Sequence, residues 1–285
     1  MGHRFPMSKY ELLHQQLLHE GTCTPDNFFE PSRSADEYIL EVHTPEYVRS
    51  LRELTLTKSE VRKLGFPLSE KLVEREYVIT QGTIEGTDHA LQNSIAMNIA
   101  GGTHHAYTDH GEAFCLFNDQ AIGARYLQKK QKANKILIVD LDVHQGNGTA
   151  EIFAGDDSVF TFSMHGASNY PFKKEKSDLD IALPNGTKDA QYLDVLTANL
   201  PDLIDKEQPD FVFYLSGVDI LESDKLGKLA CTMEGCKERD RFVLQTCKDR
   251  GIPVQCSMGG GYSPDIRIII EAHANTYRMA QEIYF

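Results

Sequence analysis

Three carboxylates and three imidazoles stand where a metal-assisted hydrolysis could use them. Asp140, Asp142 and His144 follow one another at intervals of two, so in an extended segment they project to one side. Asp219, in Ser216-Gly-Val-Asp219, is the natural third ligand beside Asp142 and His144. Two carboxylates and an imidazole leave a position open for water, as catalytic rather than structural metal sites do. A metal there brings the pKa of water close to neutral and so makes a nucleophile. Zn(II) suits such donors, and Fe(II) or Co(II) would fit as well. For a bare Asp-x-Asp-x-His the competing reading is local capping of the following helix; the matching Asp219 decides for metal.

His104 and His105 form a second cluster in the Gly-rich Gly101-Gly-Thr-His-His105. Hydrolysis of an amide needs a base for the water proton and an acid for the leaving amine, and imidazole suits both near pH 7. The residues leave open which histidine does which. Tyr262 follows Gly259-Gly-Gly261, glycines that let the chain turn tightly against a ligand.

The elements that must position these groups can be read from periodicity. Helical spacing runs from Tyr10 to Leu18, from Glu46 to about Leu56 and from Gly82 to Ala100, and Asn118 reads as the N-cap of a helix towards Lys130. Short apolar runs at Lys135–Val139, Val159–Phe162, Phe211–Leu215 and Ile252–Val254 read as buried strands, with helices at Ala190–Ile204 and Glu234–Arg250 between them. That alternation predicts an α/β fold, one domain over 1–285, with a mostly parallel central sheet flanked by helices. Asp140–Asn147, Ser163–His165, Ser216–Asp219 and Gly259–Tyr262 each follow a strand directly. Open α/β sheets bind ligands at the carboxyl ends of their strands, so these four clusters are expected at one site.

Composition excludes more than it assigns. Net charge is −13 with no block of Lys or Arg, which argues against nucleic acid or an anionic membrane as partner. No apolar run reaches the roughly 20 residues of a membrane span, and Met1–Tyr10 lacks a signal-peptide core. Cysteines at 23, 115, 231, 236, 247 and 256 form no Cys-x-x-Cys pair and read as single thiols of a cytoplasmic protein.

With these residues in place the sequence resembles the histone deacetylases over nearly its full length. The motifs that carry the resemblance are His3-Arg-Phe-Pro-Met7, Gly101–His105, Phe114-Cys-Leu-Phe-Asn118, Asp140–His144, Gly217-Val-Asp219 with Leu226-Gly227, and Gly259–Tyr262. His144-Gln-Gly-Asn-Gly148 and Gly217–Gly227 look most like the class IV branch and its bacterial relatives. The resemblance implies the arginase–deacetylase fold, zinc on Asp142, His144 and Asp219, and hydrolysis of an acylated lysine of a protein or peptide. It pairs His104 with Asp140 and His105 with Asn147, where similar enzymes usually have an aspartate. An amide can orient the ring but adds no charge to hold a proton on it, so His105 is expected to resist protonation. The resemblance makes Tyr262 the donor to the developing oxyanion, and Phe114 and Tyr170 the walls of an acyl-lysine channel. It puts Leu226 where polyamine-selective relatives have an acidic gatekeeper, and Arg4 near a product-release channel. It also implies a structural potassium ion at Asp140, Asp142, His144 and Ser163, held partly through backbone oxygens. Acetylpolyamines and a non-catalytic acyl-lysine binding module are the rival readings. Family members generally have a strand before the His3–Met7 segment, and this sequence shows none before it, so that either its start differs or a segment is missing.

Overall fold

The strands form a single parallel sheet in this computed structural model, which describes residues 5–285. The strands are β1 (Ile95–Asn98), β2 (Ile136–Asp140), β3 (Val159–Gly166), β4 (Leu179–Leu183), β5 (Phe211–Leu215) and β6 (Val254–Ser257), in the order β1-β6-β5-β2-β3-β4. Every pairing is parallel, with Asp140 opposite Ser163 on one side and Leu215 on the other.

Helices cover both faces: α1 (Lys9–His19), α2 (Asp36–Ile39), α3 (Pro45–Arg52), α4 (Lys58–Leu64), α5 (Glu70–Asn93), α6 (Asp119–Lys129), α7 (Asn147–Ile152), α8 (Asp189–Glu207), α9 (Met233–Asp249) and α10 (Ile266–Tyr284). Alternate strand residues feed two cores. Leu137, Val139, Val212 and Tyr214 pack with α8, α9 and α10, whereas Ile136, Ile138, Phe211 and Phe213 pack with α5 and α6. Burial on both faces is why these runs read as continuously apolar.

Helices at Tyr10–Leu18, 190–204 and 234–250 are present to within three residues, and Asn118 does cap α6, accepting from the Ala121 N–H at 3.1 Å. The segment 82–100 is different. Its helix starts earlier, at Glu70, and ends where Ser94 turns left-handed (φ 69°), after which Ile95–Asn98 pairs with β6. β4 has an alternating, half-exposed pattern, as an edge strand does, and offers no continuous apolar run to read. The six cysteines are free thiols, five of them buried. Among the described residues no helix is long and apolar enough to cross a membrane.

The order of the sheet fixes where a site can form. From β2 the chain goes outward to β3 and β4, then returns to β5 on the other side of β2 and continues outward to β6. The connections therefore part between β2 and β5, and a crevice opens at the carboxyl ends of those two strands.

Candidate active site

Asp142 and His144 leave β2, and Asp219 leaves β5, so the three meet over that crevice. Their ligand atoms lie within 4.8 Å of one another and all three residues are buried. His144 Nδ1 is 3.0 Å from Asp142 Oδ1 and 3.2 Å from Asp219 Oδ2. Each carboxylate also accepts from backbone: Asp142 Oδ2 from the Gly260 N–H at 2.8 Å, and Asp219 Oδ1 from the Val143 N–H at 2.9 Å. The capping alternative is not what the structure shows, because α7 begins at Asn147 with Gly146 as its cap and no side-chain cap bond.

These residues fit a divalent metal. Asp219 Oδ2 is buried with no well-formed hydrogen bond, an orphaned acceptor aimed into the cluster. Burial and the neighbouring Asp142 push the Asp219 carboxyl up to about 7. Burial lowers the His144 pKa, but Asp142 and Asp219 override it and carry the ring to about 10. Both shifts express one need, positive charge between two buried carboxylates. Gly260 leaves the room for it, since a Cβ there would collide with Asp219 Oδ2 and come within 2.7 Å of Asp142 Oδ2.

The two histidines stand side by side, ring centroids 4.1 Å apart, and differ in what holds them. His104 Nδ1 bonds Asp140 Oδ2 at 2.7 Å, whereas His105 Nδ1 bonds the amide oxygen of Asn147 at 2.6 Å. Burial disfavours the charged form of each ring. At His104 the Asp140 carboxylate outweighs that cost and the pKa is raised. At His105 burial acts together with the charges of His104 and His144, and the pKa lies well below its usual value. The expected resistance of His105 to protonation is what this geometry produces.

Tyr262 is half-buried, its ring 6.4 Å from that of His144, and burial pushes its phenol up, which keeps it an O–H donor. Its backbone N–H donates to Asp224 Oδ2 at 2.6 Å. Phe114, Tyr170, Leu226 and Tyr262 line one cavity of about 310 Å³ leading down to His105 and His144. The Tyr170 ring stands edge-on to His105 at 5.1 Å. Ala113, where similar enzymes have glycine, lies at φ 47° and Phe114 at φ 72°, conformations that cost ordinary residues about 1 kcal/mol or more. Behind the histidines a smaller cavity of about 40 Å³ reaches Tyr10, Arg75 and Glu76.

Ser163, expected at the potassium site, is paired with Asp140 across β2 and β3. It lies behind Asp140, where a void of about 10 Å³ is bordered by Asp140, Gly146, Thr149, Thr161, Ser163 and Ser177, and Ser163 Oγ bonds His165 Nδ1 at 3.0 Å. Asp142 and His144 are not among the residues that border the void. Arg4 falls outside the described residues.

Three residues that sequence reading passed over also shape the site. Lys9 is fully buried, and its Nζ donates to the Gly259 carbonyl at 2.9 Å. Arg239, equally buried, donates to the carbonyls of Ser216, Gly217 and Leu141 at 3.1, 2.6 and 3.3 Å, and so holds the two segments that carry Asp142 and Asp219. Glu112 accepts from Asn147 Nδ2 at 2.7 Å. Lys9 and Arg239 had a signal: each sits on the apolar stripe of its helix, with Leu13 and Leu17 in one case and Cys236 and Val243 in the other. Glu112, in a loop, had none.

Comparison with known proteins matches this geometry. The family model for the histone deacetylase domain matches residues 3–277. An uncharacterized protein of Picosynechococcus sp. is 45% identical over 282 residues, covering 99% of this chain and 94% of that protein. Histone deacetylase 2 of Arabidopsis thaliana is 29% identical, with 97% of this chain and 74% of that protein covered. A solved histone deacetylase homologue from Aquifex aeolicus superposes with a TM-score of 0.82 at 24% identity, covering 93% of this chain and 76% of that one, and supports the shared fold.

Proposed function

This chain belongs to the histone deacetylase family, and from that premise we propose that it hydrolyses the amide of an acylated lysine in a protein or peptide. The observation that carries the reading is the meeting of Asp142, His144 and Asp219 with the two histidine pairs at the foot of an aromatic-walled cavity. A divalent metal held by those three residues, zinc or Fe(II), would supply Lewis-acid activation of water and of the acyl carbonyl.

The chain's own groups account for the rest. Phe114 and Tyr170 flank the apolar stem of the lysine and exclude water from it. His105, kept neutral, takes a proton at Nε2, because its Nδ1 is committed to Asn147. His104, whose charged form is favoured by Asp140 against the cost of burial, is placed to give a proton to the leaving amine. Tyr262 donates its O–H to the oxygen on which negative charge develops. A leucine at 226 offers no attraction to a second ammonium group, which favours acyl-lysine over acetylpolyamines. The inner cavity of about 40 Å³ has room for a few waters, each needing roughly 10–15 Å³, and so suits acetyl rather than a long acyl chain. The potassium ion that the family resemblance implies would border Asp140 and Ser163, in the void described above.

Turnover of lysine peptides carrying acetyl, octanoyl or myristoyl groups, with acetylputrescine alongside, tests the reading. Zn- or Fe(II)-loaded protein is expected to hydrolyse the acetyl peptide fastest, and Asp142→Ala is expected to abolish turnover and metal retention together. Hydrolysis of acetylputrescine alone would move the substrate to small amines. Silence on all of them with metal bound would refute the deacylase reading.

A further inference from the structure

His105 is oriented by an amide, and an amide has two ends of nearly the same shape. Its oxygen accepts and its nitrogen donates, so the end that faces the ring decides which ring nitrogen carries hydrogen. The neighbours of Asn147 must make that choice. Asn147 Nδ2 has two hydrogens, and both are taken, one by Glu112 Oε1 at 2.7 Å and one by the Tyr107 hydroxyl at 3.0 Å. Tyr107 can donate or accept, and it passes its own hydrogen to Glu175 Oε1 at 3.3 Å, so it does not decide. A carboxylate can only accept. Glu112 therefore compels Nδ2 to face it, which turns Oδ1 towards His105 and requires hydrogen on His105 Nδ1.

We propose that Glu112 is a positioning residue that sets the tautomer of His105 through Asn147, leaving the Nε2 lone pair free towards the reacting centre. Similar enzymes place an aspartate directly against this histidine; here the carboxylate stands one hydrogen bond further out. The ring thus receives the orientation that a carboxylate gives without the adjacent negative charge that would hold a proton on it. His104 needs no such device, because Asp140 is itself acceptor-only.

The inference rests on the deacylase reading in its kinetic arm only. Glu112→Gln provides an amide that can donate to Asn147 or accept from it, and the choice of face is lost. Asn147→Asp sets two carboxylates against each other. The double variant Glu112→Gln/Asn147→Asp restores one consistent direction, since the carboxylate introduced at position 147 would accept from both His105 and the new amide. Each single variant is expected to lower kcat by roughly 10–100-fold, the usual cost of losing a group that orients a ligand or base, with KM nearly unchanged. The double variant is expected to recover most of that loss, whereas losses that multiply would overturn the inference. A second readout needs no activity. In protein carrying ¹⁵N-labelled histidine, with His105→Gln to assign the signals, His105 is expected as the Nδ1–H tautomer in the wild type and the double variant, and as a mixture in Glu112→Gln. A pure Nδ1–H signal in Glu112→Gln would sink the proposal even if no substrate were turned over. A wild type inactive on every peptide would count against the deacylase reading, and the spectra would still decide the role of Glu112.

Discussion

The floor of the site and its mouth are built in opposite ways. At the floor, the carboxylates that converge on the site also accept backbone N–H groups from neighbouring loops. Asp142 accepts from the His144 and Gly260 N–H groups, Asp219 from Val143, and Asp140 from Asp142, so the loops after β2, β5 and β6 are tied through the carboxylates themselves. Beneath them Arg239 is paired with Asp240 at 2.8 Å, and Asp240 in turn accepts from Tyr214 and Thr276 at 2.5 and 2.7 Å. At the mouth, Phe172 is 90% exposed, and exposed Arg62, Lys63 and Lys228 ring the entrance. The difference separates two questions. The floor decides what reaction is performed and tolerates little; the mouth decides on what, and can vary without endangering the fold.

The comparison breaks first if the floor proves tolerant. Arg239→Met leaves Asp240 without its cation and three carbonyls without a donor, and is expected to cost about 3–5 kcal/mol in urea unfolding. A loss under about 1 kcal/mol would mean that the floor is not held from below. A gentler probe is pH. His43 Nδ1 donates to the Tyr107 carbonyl and its Nε2 accepts from the Asn118 N–H, an arrangement that only the neutral ring can make. Burial lowers its pKa to about 4, below the roughly 6.5 of an unfolded chain, so the unfolded state binds the proton more readily. Its contribution is complete above about pH 6.5 and is lost as pH falls towards 4, by about 3 kcal/mol. Urea midpoints of wild type and His43→Asn at pH 7 and pH 4.5 check this: the variant should lose less over the interval.

Changes at the mouth should leave stability nearly alone. Phe114→Ala is expected to raise KM for an acetyl-lysine peptide by about tenfold, the worth of part of an aromatic contact, with kcat little affected. A parallel collapse of kcat would show that Phe114 orients the reacting groups as well. The smallest effect concerns charge. Although the chain carries −13 overall, the cavity lining has three exposed cations and, among the described residues, no carboxylate. Peptides with acidic residues beside the acetyl-lysine should be preferred over basic ones by a few-fold, a preference that fades above roughly 0.5 M salt. Lys63→Glu with Lys228→Glu should reverse it.

The sequence made the floor legible for the same reason that it is rigid. Asp140, Asp142, His144 and Asp219 are chemically unusual residues placed directly after apolar runs, and only a strand end explains that placement. β4 and the true start of α5 were not legible, because a half-exposed edge strand and a helix with a polar first turn give no sharp periodicity. Lys9 and Arg239 were hidden differently: each interrupts an apolar stripe, and a lone charge there is usually read as solvent-facing. Glu112 was beyond reach, since its meaning depends on Asn147, 35 residues away across a loop.

The bond from Lys9 to the Gly259 carbonyl spans 250 residues and joins α1 to the loop before Tyr262. During synthesis the first helix must therefore wait, its lysine unpaired, until nearly the whole chain has emerged. Contacts so distant in sequence are slow to form because loop-closure entropy precedes any reward. The glycine loop of the catalytic floor then belongs to the last part of the molecule to be secured. Recovery of activity should lag behind recovery of helix signal when the denatured protein is returned to native conditions.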